Sequence, residues 1–451
     1  MQPRQRILSS VFITSFIGPF MASSVNIAIP AMAIQFSLPV ETLSWIVTIF
    51  LLSSVAIVLP AGKLADSYGR RRVYTLGLGG MFITTIAAAL SPTVPVLLLF
   101  RTLQGMSTAL IFSTGMALLV SCYPAKMRGK AIGLSAAATY LGLSLGPSLG
   151  GIITEYLGWP VIFYATAVGT AIAYLLIMPI TEEWYGTRGE PIDKIGSPLY
   201  AFASALFLFS LSDYMSNPIS HWLLPASILL LLIFLKQQYC SPHPLIDLSL
   251  FRNTAFGLSN LAAFIHYSAT YAITFLLSLY LQLIQHLSAG SAGMILLLQP
   301  VVMAILSPSA GALSDKIQPR IIASIGMAIT MLGLLALSFI TTTTPLYQTA
   351  IILIIIGIGF ALFASPNNNA IMSSIDTNHY GVAASVLALM RTSGQAISMS
   401  IVTMLLSSYL STATASTYLA TLTAAIGHIF RILSAACIIG IAASLARGEK
   451  K

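Results

Sequence analysis

The chain has 451 residues, of which only 7% are charged: 21 Lys and Arg face 12 Asp and Glu, for a formal net charge of +9. Soluble domains carry about 25% charged residues. A mean hydropathy of +0.90 leaves too little polar surface for a water-soluble fold of this length. In so apolar a chain the excess of cations marks loops on one side of a membrane rather than a nucleic-acid footprint.

The predicted elements are fourteen transmembrane helices, at about residues 7–30, 42–62, 73–91, 94–121, 131–153, 157–180, 196–214, 220–237, 254–283, 291–313, 320–340, 346–371, 381–408 and 427–446. Each run is long and apolar enough to cross a ~30 Å hydrocarbon core as a helix. The first is too long for a signal-peptide core and lacks a small-residue cleavage site, so it is expected to remain as the first span. Cys122, Cys240 and Cys437 have no metal-ligand spacing, and an odd number suits no disulfide framework.

The count has an internal test: with the N-terminus inside, alternate connections should lack Lys and Arg. Eighteen of the 21 cations fall in the terminal tails or the even-numbered connections, including Arg4, Arg6, the 63–72 cluster, Lys126, Arg128, Lys130, Lys316 and Arg447. The predicted outer connections hold none, and Arg101, Arg391 and Arg431 lie within spans. The expected fold is an all-α polytopic membrane protein with both termini cytoplasmic.

The chain also repeats. "GKLAD" at 62–66 is echoed by "GALSD" at 311–315, an offset of 249, and Gly129 and Gly142 are echoed by Gly381 and Gly394, an offset of 252. Internal repeats of this kind build many transporter folds. The predicted division is an N-terminal six-helix bundle (1–185), two inserted transmembrane helices with linkers (186–250) and a C-terminal six-helix bundle (251–451).

"GKLADSYGRRR" (62–72) resembles the loop signature between the second and third spans of the major facilitator superfamily, in which a Gly, an Asp four residues on, another Gly and basic residues occupy the loop. "LGLSLGPSLGG" (141–151) resembles the fifth-span Gly-Pro signature of that superfamily's antiporters. "FRTLQG" (100–105) resembles its fourth-span Arg motif, and "VNIAIP" (25–30) the end of its first-span motif. "SPNNNAIM" (365–372) and "LMRTSGQA" (389–396) are similar to segments of fourteen-span drug:proton antiporters. The resemblance covers essentially the whole chain. It implies a major facilitator fold, two six-helix bundles plus two inserted central helices.

The motifs supply candidate functional residues. In the first, the cations hold the loop inside, Gly62 and Gly69 permit close approach and a tight turn, and Asp66 can pair with Arg70 or Arg71. The resemblance implies a conformational latch here, echoed at Asp315. In the fifth span, Gly142, Gly146 and Gly150 share one helical face, Pro147 kinks the helix and Gly151 widens the smooth surface. This reads as small-residue packing and as a hinge and seal between the halves.

An Arg deep in a span costs several kcal/mol unless paired or facing water. The resemblance implies a part in proton coupling for Arg101, whose face Gln104 shares; the rival is an Arg bonded to backbone carbonyls of a neighbour. Arg391 reads as structural or as a cavity cation, and Arg431, near a predicted outer end, is expected to snorkel. The family's first-span Asp is replaced here by Met21. Glu41, Glu155 and Asp213 sit near outer ends; Asp213, the deepest, is a proton-coupling candidate. His266, twelve residues into the ninth span, is a further coupling candidate, as proton carrier or as a neutral His bonded across helices. Asn367, Asn368 and Asn369 must bond across helices or line a wet cavity. With Gln104, Tyr140, Tyr267, Tyr271 and Arg391 they are the cavity candidates.

No Gly-rich phosphate loop, long catalytic loop or metal-ligand cluster is present, so neither an enzyme nor an ATP-driven pump is expected, and no cofactor is called for. The expectation is a monomeric secondary transporter of the cytoplasmic membrane whose partners are a small-molecule substrate, protons and the lipid bilayer, with no nucleic acid. Proton-coupled efflux of amphipathic organic compounds is the leading reading. A carrier of an anionic metabolite or siderophore is the alternative, since two span arginines without a central acid suit an anion; a transport-dead sensor is the third.

Overall fold

A computed structural model of the chain describes residues 3–123, 125–186, 188–375, 380–411, 413–414 and 416–448. Within these, the side chains of residues 40, 125–130, 132, 133, 136, 315, 380, 381 and 384 lie outside the description. The described residues are helical with no strand. The helices are α1 (Pro3–Phe36), α2 (Val40–Leu43), α3 (Trp45–Tyr68), α4 (Arg70–Ala89), α5 (Val94–Cys122), α6 (Ala125–Tyr156), α7 (Pro160–Ile177), α8 (Gly196–Ser212), α9 (Ser220–Cys240), α10 (Thr254–Thr270), α11 (Ala272–Leu279), α12 (Ala289–Leu296), α13 (Leu298–Lys316), α14 (Pro319–Leu337), α15 (Leu346–Ser373), α16 (Tyr380–Leu410) and α17 (Tyr418–Ala446).

Among the described residues eleven helical segments are long and apolar enough to cross a membrane, and α8 is a shorter apolar helix. Helix α6, at 32 residues, and α16, at 31, match them in length. This is a multi-pass membrane protein. Helices outrun the apolar windows because intrahelical bonding continues into water beyond the hydrocarbon. One such extension corrects a reading: α17 begins at Tyr418 rather than near 427, so Arg431 lies mid-helix. Its exposed side chain still reaches along the surface, with the guanidinium 5.9 Å from the Phe339 ring just past the end of α14.

The packing is duplicated. Helix α1 packs on α6 and α7, α3 on α5, and α4 on α5 and α7; in the later part α10 packs on α16 and α17, α13 on α15, and α14 on α15 and α17. The duplication extends to individual glycines, whose missing side chains set the closest approaches. Gly142 abuts the Phe16 carbonyl and the Phe20 amide of α1, as Gly394 abuts the Phe264 carbonyl and the Ser268 amide of α10. Gly105 meets the Phe50 carbonyl as Gly357 meets that of Gln299, and Gly77 meets Leu110 and Ile111 as Gly326 meets Leu362 and Phe363. The paired positions are 248 to 252 residues apart, the spacing of the sequence echoes. In lipid, helix association draws on van der Waals contact rather than hydrophobic exclusion, so such notches decide which helices meet.

Helices α8 and α9 pack on each other, and α8 leans on both α3 and α16. The Tyr200 hydroxyl donates to the Val55 carbonyl at 2.9 Å. At the base of the pair, Asp193 accepts from the Ile195 and Gly196 amides and from Gln237 and Gln238, at 2.7–3.2 Å. Burial raises the Asp193 pKa, but the bonds from Gly196, Gln237, Gln238 and Ile195 outweigh it and hold the carboxyl below its ordinary value.

A Cβ at Gly142 or Gly394 would overlap backbone of the facing helix, whereas one at Gly62 meets nothing within 4 Å. Gly142→Ala and Gly394→Ala are each expected to cost about 1–3 kcal/mol and to lower the thermal midpoint of detergent-purified protein; Gly62→Ala should leave it unchanged. Melting curves of the three variants check this.

Candidate functional site

A cavity lined by apolar, aromatic and polar residues lies where the duplicated sets of helices face each other. From α1 and α6 come Ala22, Ser23, Asn26, Leu143 and Pro147. The opposing wall is larger and more polar: Tyr267, Thr270, Tyr271 and Thr274 from α10 and α11, Gln299 and Met303 from α13, Phe360 from α15, and Arg391 and Gln395 from α16. Among the described residues Arg391 is the one charged residue in this lining, and its guanidinium lies 5.5 Å from the Tyr267 ring centroid. The Asn26 side-chain carbonyl, in a residue 2% exposed, and the Tyr271 hydroxyl are buried with no hydrogen-bond partner. A separate open groove on the surface of α4, edged by Arg71 and Arg72, does not reach the cavity.

Among the described residues, four hydrogen bonds join residues before 160 to residues after 250, all toward the face opposite the chain termini. Ser44 and Thr48 each bond Thr403, at 3.0 and 2.9 Å. Gln282 donates to the Ile27 carbonyl at 2.9 Å, and the Gly290 amide donates to Glu155 at 2.9 Å. Beside the last, Gly151 abuts the Ala289 carbonyl and Gly293 abuts that of Pro147. The fifth-span glycines therefore divide. Gly142, Gly146 and Gly150 face α1, where Ser24 donates to the Gly146 carbonyl at 2.9 Å, while Gly151 and the Pro147 carbonyl face α12.

The "GKLADSYGRRR" segment turns between α3 and α4 at Gly69, whose φ of +119° is one L side chains rarely adopt. Asp66 and Arg70 form an ion pair at 2.7 Å, and Arg70 reaches on to Ser121 Oγ at 2.5 Å and the Ala117 carbonyl at 3.3 Å. The chain after α7 closes over them: the Arg70 amide donates to the Trp184 carbonyl, the Arg71 amide to Glu183, and Lys63 pairs with Glu190 at 2.7 Å. These contacts tie α3, α4 and α5 to the 183–190 connection. Gly62 stands clear of other side chains, and the side chain of Asp315, the echo of Asp66, lies outside the described residues.

The other candidates scatter. Arg101 is buried among α3 and α5, donating to the Ile46 carbonyl at 3.0 Å and to Gln104 at 2.5 Å, with Phe50 4.3 Å from its guanidinium. Gln104 bonds Thr85 at 2.7 Å and touches Met21 Sδ at 3.3 Å. The position where the family carries its acid thus abuts this cluster, and neither Arg101 nor Gln104 lines the cavity. His266 is fully buried against Phe360 and Phe363, with both ring nitrogens unpartnered. Tyr140 packs with Tyr267 against Met303 and Phe360, at the cavity's edge. Asn367 bonds the Ser259 carbonyl and accepts from Arg447, and Asn369 donates to Ser314, so these two amides join helices. Asn368, half-buried, is outside the cavity lining. Asp213 ends α8, accepting from Ser220 at 3.4 Å. Asn26, Gln299 and Gln395 were not singled out from the sequence; an amide every few turns carries no periodic signal, although the duplication does relate Asn26 to Thr274.

The fold and cavity define a multi-pass membrane transporter. The family model described as Major Facilitator Superfamily matches residues 11–399, and the chain belongs to that superfamily. It is 31% identical over 386 residues, 84% of each chain, to the riboflavin transporter RibZ of Clostridioides difficile (strain 630). It is 29% identical over 414 residues, 88% of this chain and 76% of the relative, to the multidrug resistance protein Stp of Mycobacterium tuberculosis (strain CDC 1551 / Oshkosh). A crystal structure of a bacterial homologue of the human lysosomal transporter Spinster, inward-facing and unoccupied, superposes with a TM-score of 0.71 over 99% of this chain and 97% of that one, at 15% identity.

Arg101 serves the Ile46 carbonyl and Gln104 at once, which an ammonium group does poorly. Arg101→Lys is expected to destabilise the protein by about 1–3 kcal/mol while flux per folded molecule stays within about twofold. Thermal melts and reconstituted flux check this; a selective loss of flux would assign Arg101 to coupling instead.

Proposed function

We propose that this chain is a secondary active transporter working by alternating access, in which residues 1–185 and 251–451 rock against each other around the central cavity while 186–250 ride on α3 and α16. The duplicated pairings and glycine contacts support this division. Fourteen spans with both termini cytoplasmic, in the cytoplasmic membrane, are the topology the cation distribution favours. The four bonds opposite the termini then form the closed outer gate of an inward-facing state. The loop network at Asp66 and Arg70 is read as a brace for that state, with the Asp66–Arg70 pair exchanging partners as the halves move.

The observation that carries the reading is a cavity with convergent polar groups between two related walls, near the middle of the helices, where secondary carriers place their substrates. The cargo is a small organic solute, in keeping with relatives named for riboflavin and for multidrug resistance. Export coupled to a proton gradient, as in fourteen-span drug:proton antiporters, is the proposed mode, with a monomer as the working unit. Coupling here cannot use the usual first-span acid, because Met21 occupies its place. His266, without a partner for either nitrogen, is the proposed proton carrier.

Purified protein in proteoliposomes loaded with a planar aromatic dye is expected to release it saturably, several-fold faster with an imposed pH gradient, and His266→Ala should abolish the gradient's effect. Saturable binding without flux would point to a sensor. Full gradient-driven flux in His266→Ala would remove that residue from the coupling scheme.

A further inference from the structure

We infer that Arg391 is the charge-selecting residue of the central cavity, and that its preferred cargo is a planar aromatic solute that is neutral or anionic rather than a lipophilic cation. The inference rests on the carrier reading above and specifies what that carrier takes.

The lining contains one cation and, among the described residues, no carboxylate. A lipophilic cation in such a cavity would meet a like charge at reduced dielectric, where repulsion is several-fold stronger than in water. Among the described residues the guanidinium has no carboxylate partner; what steadies it is the Tyr267 ring at 5.5 Å. A planar anion can take both, stacking on the guanidinium or ring and placing its charge at the N–H fork.

The rest of the lining fits a flat, hydrogen-bonding ring. Tyr267, Tyr271 and Phe360 offer aromatic faces, and Asn26, Gln299 and Gln395 offer amides that can donate or accept along a ring edge. Two polar atoms, the Asn26 carbonyl and the Tyr271 hydroxyl, are buried without partners. A buried polar atom left so costs free energy that a ligand returns by bonding it.

The repeat sharpens the assignment. Positions related by 248 or 252 residues set Ser23 against Tyr271, Leu143 against Gln395, and Thr139 against Arg391. One backbone frame is thus decorated twice, and at these three pairs of positions the later copy carries the ring, the amide and the charge.

The test uses three tricyclic probes of one shape: acridone (neutral), acridine-9-carboxylate (anionic) and proflavine (cationic), bound to full-length protein in nanodiscs and read by fluorescence. Wild type is expected to bind the carboxylate and acridone about tenfold or more tighter than proflavine. Arg391→Gln should weaken the carboxylate about tenfold and leave acridone within about threefold, which also reports a folded cavity. Arg391→Glu should invert the order of carboxylate and proflavine, and Arg391→Lys, which keeps the charge, should preserve it. Preference of the wild type for proflavine, or equal binding of all three probes by wild type and Arg391→Gln, would overturn the inference. Flux is scored separately in proteoliposomes: charge-ordered binding without transport would sink the carrier reading and leave the charge selection standing.

Discussion

Helices in hydrocarbon gain little by hiding apolar side chains from one another, since lipid is as apolar as leucine. What brings them together is close backbone contact, and that depends on where a side chain is missing. Gly77, Gly105 and Gly142 each let a backbone approach, and Gly326, Gly357 and Gly394 do the same in the second copy. These contacts fix which helices pair. The pairing fixes that α1, α6, α10, α11, α13 and α16 surround a common space.

Two consequences follow from this frame. Contacts within each copy are backbone-deep and glycine-tight, while the side-chain hydrogen bonds between copies are, among the described residues, two hydroxyl bonds at Thr403, one amide at Gln282 and one carboxylate at Glu155. Each such bond nets about 0.5–1.5 kcal/mol, and the backbone contacts at Gly151 and Gly293 add to them. Gly151 and Gly293 lie in that same contact, so α6 packs on α1 through one face and on α12 through another.

The architecture was legible because it is written in hydropathy and period. Long apolar runs report the membrane-crossing helices, and echoes near 250 residues report the duplicated packing. Individual helix faces were harder. The run Asn367–Asn369 signalled polarity at depth, but not that Asn367 would turn to Ser259 and Arg447 and Asn369 to Ser314, inside the bundle. Arg447 read as a tail cation, yet it folds back to 5% exposure because Asn367 and Ser259 offer acceptors within reach of its long stem. Arg101 and Arg391 looked alike as buried arginines, and only the packing separates a scaffold bond to the Ile46 carbonyl from a guanidinium in the cavity. Single polar residues such as Asn26 carry no pattern of their own, since a helix presents every face to something.

The central claim is that two rigid copies exchange which end of the cavity is open. Double electron–electron resonance tests it most directly, with the exposed Cys240 replaced by Ser and spin labels placed in pairs. One pair, at Leu157 and Ser291, straddles the α6–α12 seam; the other, at Tyr68 and Ser373, lies at the terminus-bearing face. Under conditions that support flux, the account predicts a second population in which the 157–291 distance lengthens as the 68–373 distance shortens. A single unchanged distance for both pairs while flux proceeds would contradict it.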